Sequence, residues 1–171
     1  RCFIASGEYS DEYQGASQVK LTVHSNRMIP VTIGSRIYYD TSDGAGGYVM
    51  LAPPSIERIS SKHFIYEMVF SGNIHLLETK LFFNQDLKGD GWNLSFSLVG
   101  KAEDFIDLIC TNMNRTMPVE DPISETWQVG KVDDTTSDLL IDFDNDNCLT
   151  ALRKISEAFN LPYRTSLSGS T

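Results

Sequence analysis

The sequence predicts an α+β chain in which an antiparallel sheet comes first, a helix packs on it, and a small α/β segment follows. Three observations predict it. Apolar and polar residues alternate with period two through much of the first hundred residues, at "QVKLTVHS" and most cleanly at "WNLSFSLVG". At Gly100 the period changes, and Ala102, Phe105, Ile106, Ile109 and Met113 recur at three- and four-residue steps. The same change recurs later: Leu139, Ile141 and Phe143 alternate, and Cys148, Leu149, Leu152, Ile155 and Phe159 then form a helical stripe.

In chain order, a polar opening rich in Gly, Ser and Tyr leads to Val19, Leu21 and Val23, which alternate with Lys20, Thr22 and His24 as a strand. "PVTIGSRIYYD" continues in β style, and "DTSDGAGGYV" reads as a turn in which Gly44, Gly46 and Gly47 supply positive φ. That glycine spacing matches neither nucleotide-binding signature, and Pro53 and Pro54 follow where a helix would be needed. "KHFIYEMVF" and "IHLLETKLFF", joined by Ser71, Gly72 and Asn73, read as a β-hairpin. Trp92, Leu94, Phe96 and Leu98 then share one face of a strand. Glu103 and Asp104 fall in the first turn of the helix that follows, where the dipole favours acid.

Asn114 to Thr126, with Pro118 and Pro122 among charges, reads as a linker, and "WQVGKV" as a short strand. Asp142, Asp144 and Asp146 have the 1, 3, 5 spacing that opens a calcium loop. The sixth position, normally Gly, is Asn147, and the twelfth, normally a bidentate Glu, is Arg153. A strand end before a helix accounts for more: Asn147 is a suitable N-cap, and Asn160 and Pro162 are suitable stop signals.

Composition narrows the function. With 41% apolar and 22% charged residues, the 171 residues have the makeup of a globular protein, and no apolar run approaches the roughly eighteen residues of a membrane helix. Net charge is -9, concentrated after residue 115, where four Lys and Arg face ten Asp and Glu. That balance opposes tight binding to a nucleic-acid backbone, which needs clustered cations to displace counterions. Cys2, Cys110 and Cys148 lack any C-x-x-C spacing and read as reduced, the latter two on apolar helix faces. His24, His63 and His75 lack zinc-pair spacing, so solvated strand faces are expected for the first two. No serine nucleophile elbow or cysteine nucleophile motif is present. No catalytic, cofactor-binding or metal-ligating residue is therefore expected, and no cofactor.

The order of pieces, "SFSLVGKAEDFIDLICTNMN", then "TWQVGKV", then "LLIDFDNDNCLTALRKISEAF", resembles the N-terminal part of bacteriophage tail-tip and baseplate hub proteins. These include the hub portions that precede tail-associated lysins and the related spike proteins of type VI secretion. The resemblance rests on Gly100 with Asp104, Phe105 and Ile109, on Trp127 to Gly130, and on Asn147, Leu149, Ala151, Leu152, Ile155 and Phe159. It implies a β-barrel of the tail-tube type with a packed helix over residues 1–115 and the beginning of a second α/β domain over 116–171. It also implies a structural, non-enzymatic part of a prophage-encoded virion tail, made in the bacterial cytoplasm. Its partners would be other phage tail proteins, and it would form a homotrimer when assembled, this stretch alone being compatible with a monomer. The ring would close the tail tube and pass DNA without tight binding, with no membrane partner, and any lysin or needle domain would follow Thr171. Two rivals stand beside it: a β-sandwich glycan-binding module stacking sugars on Tyr38, Tyr39 and Tyr48, and a hydrolase using acidic residues.

Overall fold

A computed structural model describes residues 2–10, 17–41, 44–84, 94–115, 126–133, 137–163 and 165. The chain mixes strands and helices, and its larger sheet is antiparallel and curled into a half-barrel. It forms two compact units, Arg1–Ile74 and His75–Tyr163.

The first unit holds β1 (Cys2–Ser10), β2 (Gln18–Ser25), β3 (Arg36–Thr41), β4 (Gly44–Val49), β5 (Ser55–Ser60) and β6 (His63–Gly72). Their order is β1-β2-β6-β4-β3, with β5 also on β6. β2 and β6 are the spine: Val19 opposes Phe70, Leu21 opposes Met68 and Val23 opposes Tyr66. Because side chains alternate in a strand, these apolar partners share one face, and Val19, Val23, Tyr66, Met68 and Phe70 are buried there with Tyr48 and Met50. The Tyr66 hydroxyl, inside this core, accepts the Ile29 N–H at 2.8 Å and ties the β2–β3 connection to the sheet. Gly72 allows the close pass of Ser17: its N–H donates to the Ser17 carbonyl at 2.9 Å, and a Cβ there would stand 2.5 Å from Ser17 Oγ.

The structure adds to or departs from the sequence reading at four places here. The polar opening is itself a strand, β1, every residue of which is exposed. Its pairing with β2 supplies the order that its composition hides. Gly44 to Val49 is not turn but β4, held against β3 by six paired positions. The partner of "KHFIYEMVF" is not "IHLLETKLFF" but β5, through a turn at Ser61 and Lys62. "IHLLETKLFF" instead enters a 3₁₀ segment, Asn73–Thr79, which buries Ile74, Leu76 and Leu77. Short apolar runs bury equally well in either form, so burial alone could not choose between them.

The second unit holds β7 (Ser95–Gly100), α1 (Ala102–Met113), β8 (Leu139–Asp144) and α2 (Cys148–Phe159). β7 and β8 pair antiparallel, Phe96 opposite Phe143 and Leu98 opposite Ile141. The expected stripes hold: Phe105, Ile109 and Met113 are buried on α1, and Leu149, Leu152 and Ile155 on α2. Phe143 contacts Phe82, Phe96 and Phe105 at ring separations of 4.8, 5.2 and 6.1 Å, and Phe105 meets Phe159 at 5.9 Å. Gly100 leaves room for Asp104 to reach back and accept the Lys101 N–H at 2.8 Å, which caps α1. Asn147 caps α2 by accepting the Thr150 N–H at 2.8 Å, and Asn160 ends it in the left-handed conformation, φ 52°.

"WQVGKV" carries no strand pairing. Its first residue is clasped by a side chain instead: Asn114 accepts the Trp127 N–H at 2.6 Å and donates to its carbonyl at 2.7 Å. Trp92 and residues 116–125 of the expected linker lie outside the described residues.

Candidate functional site

The three carboxylates with calcium-loop spacing do not converge. Asp142 and Asp144 stand on the exposed face of β8, where the pairing register brings Ser97 and Ser95 opposite them. Ser97 Oγ donates to Asp142 at 2.5 Å, and Ser95 Oγ donates to Asp144. Asp146 turns the other way, is buried, and pairs with Lys154 Nζ at 2.6 Å while accepting the Asp144 N–H at 3.1 Å. Asp142 and Asp144 therefore take cross-strand serine donors, and Asp146 takes a helix lysine. Among the described residues, no three His, Cys, Asp or Glu side chains cluster so as to hold a metal ion.

The thiols divide by environment. Cys2 is exposed; Cys110 and Cys148 are buried on α1 and α2. Burial pushes the Cys110 thiol up to about 11, with help from Asp107, and pushes Cys148 up to about 12, with a smaller contribution from Cys110. Both stay protonated at neutral pH, where a thiol is a poor nucleophile.

The aromatic residues considered for sugar stacking separate as well. Tyr38 is 73% exposed and Tyr48 is 5% exposed. Tyr38 opposes Gly47 and Ile37 opposes Tyr48, so the two tyrosines point to opposite faces of the β3–β4 pair. The side chain of Tyr39 lies outside the described residues.

One juxtaposition was not expected from the sequence. His24 and His63, half-buried on the polar face of β2 and β6, meet ring to ring, with His24 Nδ1 and His63 Nε2 3.1 Å apart. Phe3 of β1 lies beside His24 at a ring separation of 5.3 Å. His24 opposes Ile65 across the β2–β6 ladder, and alternation puts His63 on the same face as Ile65. Thirty-nine residues separate the two histidines, so no local spacing rule can find them. The available signal is the phase of the two strands: each carries its histidine out of step with its buried residues. His75 belongs to the second unit, in the 3₁₀ segment, with Nδ1 3.6 Å from Glu78.

The outer strand β1 is the other unusual feature. Among the described residues only β2 pairs with it, and it exposes Phe3 by 59%, Ile4 by 63% and Tyr9 by 40%. A register shift between Ile4 and Ser6 marks a bulge part-way along.

No protein-family model matches the chain, and no curated protein matches it significantly. Among the described residues no helix is long and apolar enough to cross a membrane.

Proposed function

We propose that this chain is a structural component of a phage tail tip or baseplate hub, whose half-barrel is a piece of a tail-tube type wall completed by neighbouring chains. The observation that carries the reading is β1, a nine-residue outer strand exposed throughout, with apolar side chains in water. An edge of that length presents backbone donors and acceptors to another chain on either side of its bulge. The order of curled sheet, helix, strand and helix fits the hub resemblance. Copies would assemble as a homotrimer beside other tail proteins in the virion tail, and the reading assigns no catalytic residue.

Charge gives this reading its second support. The net charge of -9, with exposed Asp138, Asp142 and Asp144, suits a conduit that passes DNA without holding it. Duplex DNA carries about one charge per 1.7 Å, and acidic groups within a Debye length of about 8 Å repel it at physiological salt.

Electron microscopy of the concentrated chain, paired with duplex-DNA fluorescence anisotropy at low salt, tests the proposal. A three-fold ring with no tight DNA binding is the expected pair of results. A chain that stays monomeric and binds duplex DNA tightly and salt-sensitively contradicts it. A monomer that captures surface glycans on an array favours the binding-module reading.

A further inference from the structure

The geometry points to a divalent transition-metal site formed by His24 and His63 across the two central strands of the first sheet. Two imidazole nitrogens bound to one zinc ion at 2.0–2.1 Å stand about 3.3–3.4 Å apart at a tetrahedral angle. His24 Nδ1 and His63 Nε2 are 3.1 Å apart, a spacing that closes on one cation at an angle of roughly 100°. Both rings rise from paired strands, and the β2–β6 register fixes their bases over eight paired positions. Phe3 beside His24 restricts that ring further. Little has to be ordered for both nitrogens to engage, so they act as a chelate rather than as two separate ligands.

The surroundings suit a cation. Side-chain alternation places Glu67 on the same face of β6 as His63, and Glu57, opposite Ile65, on that face of β5. Both carboxylates are exposed, as is Lys20 farther along β2. Half-burial of the histidines leaves room for water to complete the coordination sphere.

The exchange balances without net charge transfer from the protein. In the metal-free pair one facing nitrogen carries a proton and donates it to the other. When the cation enters, that ring's proton resides on its other nitrogen, two metal–nitrogen bonds form, and the cation gives up two water ligands. The N–H···N hydrogen bond is lost, and where both rings are neutral no proton is released. Imidazole donors select Zn²⁺, Ni²⁺ and Cu²⁺, with Cu²⁺ tightest, over the oxygen-seeking Mg²⁺ and Ca²⁺. The bound ion would clip β2 to β6.

The test is a calorimetric titration of the full chain with Zn²⁺, Ni²⁺, Cu²⁺ and Mg²⁺ slightly above neutral pH, in a Cys2→Ser background that removes the exposed thiol. Saturation at one ion per chain is expected for the first three, with Cu²⁺ the tightest, and no binding for Mg²⁺. His24→Ala and His63→Ala should each weaken binding by about tenfold or more, since each breaks the chelate. His75→Ala should leave it unchanged. Metal-free melting of the variants separates lost ligation from lost fold; if His24→Ala melts early, His24→Gln takes its place. Absence of saturable binding, binding that survives either substitution at His24 or His63 in a folded chain, or dependence on His75 overturns the inference.

Discussion

The two units are built on opposite plans. In the second, α1 and α2 help enclose a two-stranded sheet, and the phenylalanines of both strands and both helices meet in one aromatic cluster. In the first, β2 and β6 are buried on one face while β1 is exposed on every residue. Both units leave apolar side chains in water, Val99 and Leu140 across β7 and β8 in the second and Phe3 and Ile4 on β1 in the first, but the second gathers its phenylalanines in one core whereas β1 is exposed along all nine residues. Exposed apolar edges invite pairing, so the proposed function would put contact with other chains on β1 of the first unit.

Breaking the second unit's core should have the largest effect. Phe105 is fully buried between Phe143 and Phe159, so Phe105→Ala should cost about 3–5 kcal/mol, transfer plus cavity, read as a drop in the denaturant midpoint. Alkaline pH should attack the same unit. Cys110 and Cys148 have folded-state values raised to about 11 and about 12 from 9.0, so the unfolded chain loses these protons first. Their contribution is whole below about pH 9 and is lost as pH rises toward the folded values. The loss is roughly 1.4 kcal/mol per thiol for each pH unit above the unfolded value. Urea midpoints at pH 8 and pH 10 should show this fall, and a Cys110→Ala, Cys148→Ala double variant should flatten it.

Smaller effects sharpen the contrast. Tyr66→Phe removes the acceptor of the Ile29 N–H from the first unit's core and should cost about 1–3 kcal/mol in thermal unfolding. Asn147→Ala removes the α2 cap and should cost about 1 kcal/mol by the same assay. Asp107, exposed on α1, should tolerate Ala to within about 0.5 kcal/mol. An Asp107→Ala loss as large as that of Phe105→Ala would mean that the helix packs in another phase.

The second unit was also the more legible in sequence. Its helices, the Asn147 cap and the Asn160 stop are set by neighbours within a turn or two, where periodicity and capping rules operate. β2 was legible for the same local reason. β1 was not, because its polar residues face water on both sides and only its pairing with β2 makes it a strand. β4 was hidden by glycines that pair with β3 rather than turn. "IHLLETKLFF" looked like a strand because its apolar residues are buried, yet a 3₁₀ segment buries them too. The calcium-like aspartates were correctly placed at a strand end before a helix, but their serine and lysine partners lie on other elements. The His24–His63 pair is the extreme case, created by register alone.

Amide hydrogen exchange of β1 as a function of protein concentration tests the central claim, that the first unit's open edge serves assembly, most directly. The account predicts fast exchange along part of β1 in dilute solution and protection of those amides as the chain self-associates, with the protection of α1 and α2 unchanged. Exchange along β1 that stays fast at every concentration, while the chain remains monomeric, would contradict it.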